Sequence, residues 1–160
     1  RAAPLVARDF PDAHWVIVGE GEEKSLLLKM AAHGGMLGKM HFVGGVPRSD
    51  VYAAIKGFDI VVVPSREEGF GLTALEAMAC GVPLIASRVD ALQEIVVENE
   101  SGLLFEVGNS VDLANSLIRL LKDDRLRFTL GKFGIDHAGR LYSMASFELL
   151  LGKLLGSLHE

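Results

Sequence analysis

The sequence is poor in the residues that build disulfides and metal sites. Its 160 residues include one cysteine, Cys80, and five histidines, no two of which have the spacing of metal ligands. A single cysteine cannot form an intrachain disulfide, so we predict a reducing, cytoplasmic location. Because Cys80 lies in an apolar, helix-forming run, we interpret it as a small core residue rather than a nucleophile. We expect no bound metal.

The charge and hydropathy patterns exclude two further classes. The formal net charge is −5 and no basic block occurs, so we expect neither nucleic acids nor anionic membranes as main partners. No apolar run approaches the roughly 18 residues of a membrane span, and no signal peptide is visible. Hydrophobic residues make up 49% of the chain, which is enough for a sizeable core. We predict one domain over residues 1–160.

Short apolar runs alternate with longer amphipathic ones. Strands are expected at residues 14–18, 40–43, 60–63, 83–87 and 102–105, and most are apolar at every position, which is typical of parallel strands covered by helices on both faces. Helices are expected at residues 22–34, 48–57, 72–81, 110–124, 125–138 and 144–158, with Ser110 as one N-cap. The alternation predicts an α/β fold with a doubly wound, mostly parallel, Rossmann-like sheet.

The beginning of the chain does not fit that pattern. Residues 1–14 read as the tail of a helix and a turn, whereas such a domain usually opens on a strand. We therefore expect that the first strand, which normally lies at the centre of the sheet, is missing. The strands at 14–18 and 60–63 would then have unpaired edges with a gap between them, and the isolated chain would be marginally stable or self-associating.

Two glutamates flank a glycine-rich bend in the stretch "SREEGFGLTALEAMACGVP", residues 65–83. Glu68 precedes the bend and Glu76 lies one turn inside the helix that follows. The bend allows a close backbone approach, and the first N–H groups of the helix favour a phosphate. We expect Gly71 to tolerate no side chain, because a Cβ would stand where the ligand approaches.

Helical geometry suggests an environment for Glu76. It places Leu72, Leu75 and Ala79 on one apolar stripe, with the glutamate on its flank. A carboxylate there needs hydrogen-bond donors, and the paired hydroxyls of a ribose would supply them. On spacing alone, the alternative stands that Glu76 only complements the helix dipole and Glu68 is a solvated loop residue.

A second candidate is "VGEGEE", residues 18–23, where a strand runs into a Gly-x-Gly turn at Gly19 and Gly21. This matches half of a dinucleotide-binding fingerprint, but Lys24 stands where the third glycine would be. A tight turn without a ligand is the alternative.

Taken whole, "PSREEGFGLTALEAMACGVPLIAS" resembles the signature of retaining nucleotide-sugar glycosyltransferases (family 4, glycosyl transferases group 1). Their GT-B fold has two Rossmann-like domains with a cleft between them. The stretches "PDAHWVIVGEGEEKSLL" and "LQEIVVENESGLLFEVGN" are also similar to this family, so the resemblance covers nearly the whole chain as the C-terminal domain alone. It implies transfer of a hexose from a nucleoside-diphosphate sugar to an acceptor hydroxyl, with no cofactor or obligatory metal.

The resemblance also implies roles for individual residues. The residue matching Glu76 holds the ribose, and the one matching Glu68 lies against the donor sugar as the catalytic candidate. The remaining implied sugar-donor contacts are near the sugar and diphosphate, at Phe70, Gly71, Leu72 and Thr73, and near the nucleoside, at Gly19, Gly21 and Val46.

Two departures from the family pattern matter. Family members carry Gly-Gly where this chain has Asp90-Ala91, in a loop that borders the sugar donor. The family's diphosphate-binding arginine and lysine follow a first strand, which we expect to be missing here, although Arg66 and Lys24 are nearby basic residues. We expect the N-terminal acceptor-binding domain to be missing as well, and any peripheral membrane association would come through it. We expect the fragment alone to be inactive.

Two other functions remain open from the sequence. One is a module that binds a nucleotide sugar without chemistry. The other is a nucleotide-sugar epimerase on the same fold, which would need acid–base residues, and no histidine or aspartate is convincingly placed for that.

Overall fold

The computed structural model describes residues 1–142, so the helix expected at 144–158 lies outside the described residues. The strands are β1 (Trp15–Val18), β2 (Met40–Gly44), β3 (Val61–Val63), β4 (Leu84–Ser87) and β5 (Leu103–Phe105). The helices are α1 (Ala2–Val6), α2 (Lys24–His33), α3 (Val51–Lys56), α4 (Leu72–Ala79), α5 (Asp90–Ile95), α6 (Ser110–Lys122) and α7 (Asp124–Tyr142). A short 3₁₀ turn, Leu37–Lys39, precedes β2.

The five predicted strands are present, but two local expectations are wrong. Helix α5 was not predicted, and Asp90 and Ala91 belong to its first turn rather than to an open loop. Asn109, not Ser110, caps α6: its side-chain oxygen accepts from the N–H groups of Val111 at 3.2 Å and Asp112 at 3.1 Å. Ser110 is the first residue of the helix, one position after the cap, so its hydroxyl does not serve as the cap.

The strands form two parallel sheets. One has the order β1-β2 and the other β3-β4-β5, so the α/β, Rossmann-like fold class is confirmed. The register of the first sheet pairs Val16 with His41, and a hydrogen bond of 2.8 Å between the rings of His14 and His41 also ties the two strands together. Sequence spacing gave no sign of this contact, because the two histidines are 27 residues apart.

The expected gap lies between β1 and β3. Within residues 1–142, no backbone ladder joins these two strands. On β1, Val16 and Val18 are 40% and 47% exposed, whereas the β3 valines Val61 and Val63 are buried. The apolar side chains of β1 are therefore more exposed than those of β3, in which Val62 is partly buried. Trp15, Ile60 and Val62 pack against the same buried cluster, so the two sheets share part of one core.

The larger sheet is covered on both faces. On β4, Leu84 and Ala86 belong to the cluster shared with α4 and α5, whereas Ile85 belongs to the cluster shared with α1, α6 and α7. Strand β5 alternates in the same way, with Leu104 on the first face and Leu103 and Phe105 on the second. This two-sided burial explains why the central strands are apolar at every position.

The N-terminus of α4 packs against α5 through Gly71. This residue is buried, caps α4 and has a left-handed φ of 79°. A Cβ built on it would lie 2.7 Å from Cδ1 of Ile95 and 2.9 Å from Cδ2 of Leu92. The expectation that this Cβ would block a ligand is therefore wrong, because it would point into the core.

We predict that Gly71→Ala destabilises the chain. The left-handed φ and the crowding by α5 should together lower the free energy of unfolding by at least about 1 kcal/mol. Gly69→Ala is the matched control, since no atom lies within 4 Å of its Cβ position and its φ is not left-handed. Urea unfolding followed by circular dichroism measures both variants, and equal midpoints for the two would contradict the prediction.

Candidate functional site

The predicted site residues lie at the carboxyl ends of the strands, in two groups. Gly19, Gly21 and Val46 follow the strands of the β1-β2 sheet. The other six lie in the bend after β3 and in the first turns of α4, and they are Glu68, Phe70, Gly71, Leu72, Thr73 and Glu76. In open α/β sheets ligands bind beyond the carboxyl ends of the strands, and both groups lie at this edge.

The carboxylate of Glu68 is held from both sides of the glycine bend. The hydroxyl of Ser65 donates to Oε2 at 3.1 Å, and the backbone N–H of Gly71 donates to Oε1 at 3.2 Å. The side chain is half-buried. It therefore connects the end of β3 with the start of α4, and it is not a freely solvated loop residue.

Hydrogen bonds to the charged form set the ionisation of Glu68. The N–H of Gly71 contributes most to lowering the pKa of its carboxyl group, and partial burial opposes this effect. The hydroxyl of Ser65 and the N–H groups of Phe70 and Gly69 lower the pKa further. The group is thus ionised at neutral pH and can accept hydrogen bonds or stabilise positive charge, but it is a poor proton donor.

The first turn of α4 offers backbone N–H groups to a ligand. The cap residue, Gly71, has no side chain to accept from these N–H groups, and Leu72 and Thr73, which open the helix, are exposed. The N–H of Gly71 already contacts Glu68, so it is engaged by the protein itself. The helix dipole and the unpaired N–H groups of a first turn both favour an anion at this end.

Glu76 lies on the open face of α4. The buried residues of this helix are Ala74, Leu75, Ala77 and Met78, whereas Leu72 is 56% exposed and Ala79 is exposed. The predicted stripe of Leu72, Leu75 and Ala79 is therefore wrong.

Packing against α7 explains why α4 buries a different face from the one predicted. A Cβ on Gly134 of α7 would lie 3.4 Å from the Cα of Met78, so the two helices approach closely on the Met78 side. Half-buried Glu76 follows Leu72 by one turn, on the side of α4 away from this contact.

The Gly-x-Gly loop after β1 meets the end of β2. The N–H of Gly19 donates to the carbonyl oxygen of Gly44 at 2.7 Å, and no atom lies within 4 Å of a Cβ built on Gly19 or Gly21. A shallow cavity of about 160 Å³ opens here, lined partly by both glycines and Lys24. Val46 is half-buried in the loop after β2.

A second cavity, of about 220 Å³, contains none of the predicted site residues. It lies between the segment after α1 and α6, lined by Asp9, Phe10, Pro11, Asp12, Ala13 and Leu121. Of the two carboxylates in this lining, that of Asp9 is paired with Nζ of Lys122 at 2.8 Å.

Two residues near the bend were not identified from the sequence. Arg88, directly after β4, donates from Nη2 to both carboxylate oxygens of Glu98 at 3.0 and 3.1 Å, and its Nε lies 2.9 Å from Glu106. The bond to Glu98 is the main reason that the pKa of Arg88 is raised. This arginine thus joins the end of β4 to the segments that contain Glu98 and Glu106.

The other is Ser87, a buried serine that ends β4. The only sign of its role in the sequence was that a polar residue ends an otherwise apolar strand. Arg88 gave no sign, since its partners are distant in the chain.

In the described part of the chain, no group of three or more histidine, cysteine, aspartate or glutamate side chains could hold a metal ion. No helix within residues 1–142 is long and apolar enough to cross a membrane. Cys80 is half-buried, and burial is the main cause that raises the pKa of its thiol, in keeping with a packing role.

Comparisons with known proteins identify the family of this chain. The family model for "Glycosyl transferases group 1" matches residues 1–137. The D-inositol 3-phosphate glycosyltransferase of Corynebacterium jeikeium is 37% identical over 130 residues, which are 81% of this chain and 31% of that protein. The chain thus spans about a third of the length of this curated relative.

Solved structures give the same result. Sucrose-phosphate synthase from Thermosynechococcus elongatus is 30% identical with a TM-score of 0.85, covering 99% of this chain and 41% of its own. A complex of S. aureus TarM with fondaparinux, alpha-GlcNAc-glycerol and UDP is 26% identical with a TM-score of 0.86, covering 97% of this chain and 31% of its own. The chain belongs to the glycosyl transferases group 1 family, and its fold is the Rossmann-like, C-terminal half of a GT-B glycosyltransferase.

Proposed function

We propose that this chain is the sugar-donor-binding half of a retaining glycosyltransferase. The enzyme would transfer a hexose from a nucleoside-diphosphate sugar to an acceptor hydroxyl. The observation that carries the proposal is the bend between β3 and α4, where an ionised carboxylate and an uncapped helix N-terminus lie side by side. The UDP in the S. aureus TarM complex supports the same class of ligand.

In this proposal, each end of the site holds a different part of the sugar donor. Glu76, on the open face of α4, accepts hydrogen bonds from the two ribose hydroxyls. The N–H groups of Leu72 and Thr73 face the diphosphate, where the positive end of the helix dipole stabilises its charge. The loops around Gly19, Gly21 and Val46 approach the nucleoside, where their open backbone leaves room for it.

Glu68 acts on the sugar in this proposal. Because its carboxylate is ionised, it accepts hydrogen bonds from sugar hydroxyls and stabilises the positive charge that develops on the sugar as the diphosphate leaves. It does not donate the proton to a leaving group. No cofactor or metal is part of the proposal.

The remaining parts of the enzyme are proposed to lie in a longer parent protein. We expect an acceptor-binding domain there, together with basic residues that neutralise the leaving diphosphate. Any peripheral contact with a membrane would come through that domain, and the proposal places the enzyme in the cytoplasm. The fragment alone should bind the sugar donor weakly and should show no measurable turnover.

Glu76→Ala should weaken the binding of a bare nucleoside diphosphate. The loss expected is roughly 1.5–3 kcal/mol, or about 10- to 150-fold in Kd, as for a hydrogen bond to a charged group. Calorimetry on the full-length parent with UDP, ADP and GDP measures it. Glu94→Ala, an exposed glutamate on α5, is the matched control. Unchanged affinity for the nucleotide that binds best to the wild type would remove Glu76 from the site.

Glu68→Gln should lower turnover while leaving nucleotide affinity nearly intact. The amide oxygen can still accept from the N–H of Gly71, so the contact that closes the bend is kept, whereas the charge and the acceptor of the Ser65 hydroxyl are lost. We expect a loss of roughly 10²-fold in kcat, the scale of one electrostatic contact in a transition state. Glu67→Gln in the same bend is the control. Normal turnover combined with weak nucleotide binding would be the opposite result and would refute the assigned role.

A further inference from the structure

We infer that Ser87 is a positioning residue for Glu68 and that it acts through Ser65. Its hydroxyl is buried, with the residue 1% exposed, and lies 2.5 Å from the carbonyl oxygen of Ser65 and 3.3 Å from that of Val63. The hydroxyl of Ser65 in turn donates to Glu68. The consequence for catalysis rests on the function proposed above, whereas the consequence for the ionisation of Glu68 does not.

The ladder between β3 and β4 ends just before these contacts. Its last register pair is Val63 with Ala86. If the ladder continued, the N–H of Val89 would donate to the carbonyl oxygen of Ser65, but this N–H donates to the carbonyl oxygen of Ser87 instead. The hydroxyl of Ser87 donates to the carbonyl of Ser65 in its place. A serine hydroxyl has one proton, and the shorter distance assigns that proton to the carbonyl of Ser65.

Ser65 therefore transmits the position of β4 to the carboxylate. Its carbonyl oxygen is fixed by Ser87, and its hydroxyl holds Oε2 of Glu68. The N–H of Gly71 holds the other oxygen from the side of the helix. Only the contact on the strand side depends on Ser87, so removing that hydroxyl should loosen one side of the carboxylate and spare the other.

The first test measures the pKa of Glu68 in this chain by carbon-detected NMR of its side-chain carboxyl group. The present hydrogen bonds favour the charged form, so losing the one from Ser65 should raise the pKa toward its ordinary value. Ser87→Ala should therefore raise the pKa, and Ser65→Ala should raise it similarly. The double variant should give no further rise if Ser87 acts through Ser65.

Ser101→Ala is the matched control. Ser101 is also a serine that is 1% exposed, but its hydroxyl accepts from the N–H of Val97 in a separate turn. Ser101→Ala should lower the free energy of unfolding about as much as Ser87→Ala does, without changing the pKa of Glu68. Ser87→Thr keeps a hydroxyl and should restore the pKa of the wild type.

A wild-type pKa in Ser87→Ala, together with a raised pKa in Ser65→Ala, would overturn the inference. Should Ser87→Ala not fold, Ser87→Cys gives the same comparison, because it keeps the volume and donates only weakly. An additive double variant would show that Ser87 and Ser65 act independently and would also overturn the inference.

The second test measures kinetics in the full-length parent. Ser87→Ala should lower kcat several-fold and leave the Kd of the nucleoside diphosphate unchanged, with Ser101→Ala retaining wild-type kcat. A raised pKa of Glu68 with unchanged kcat would support the positioning by Ser87 and refute the catalytic role proposed for Glu68. An unchanged pKa would refute the positioning whatever the kinetics show.

Discussion

The hydrogen bond from the N–H of Gly71 to the carboxylate of Glu68 is the contact on which the site depends. It closes the eight-residue connection, residues 64–71, between the buried end of β3 and the first turn of α4. The left-handed φ of Gly71 directs its N–H back toward the bend, while the core side chains of α5 occupy the space behind it. A side chain at this position would disturb the turn, the helix start and the packing of α5 together.

The same contact limits where a ligand anion can bind. A helix N-terminus attracts anions through several unpaired N–H groups, and here the chain's own carboxylate already uses the one at the cap. In the proposed function, a diphosphate is therefore held by the N–H groups of Leu72 and Thr73, one step further into the helix. The negative charge of Glu68 next to it would keep the diphosphate from moving back over the bend, and this separation favours a sugar rather than a phosphate beside the carboxylate.

Much of the fold and the position of the site could be predicted from the sequence, because these features follow from local patterns. Strand β4 is apolar at every position since its two faces contact different clusters, and the carboxyl ends of such strands are where ligands bind. Helix α5 was not predicted because its six residues are too few to show a helical period of hydrophobic residues. The buried face of α4 was assigned wrongly because several apolar stripes fit this sequence and contact with α7, far along the chain, selects among them.

The contacts made by Ser87 and Arg88 also could not be predicted from local sequence patterns. The contacts of both residues depend on tertiary structure. The hydroxyl of Ser87 donates to a carbonyl just after the neighbouring strand, and the guanidinium of Arg88 binds two glutamates that lie 10 and 18 residues later in the sequence. They lie next to each other at the end of β4, but they hold different loops. Ser87 holds the bend that carries Glu68, whereas Arg88 joins the end of β4 to Glu98 and Glu106. The end of one central strand thereby fixes the bend through Ser87 and Ser65, which is the arrangement expected where a carboxylate must keep one orientation before a ligand arrives.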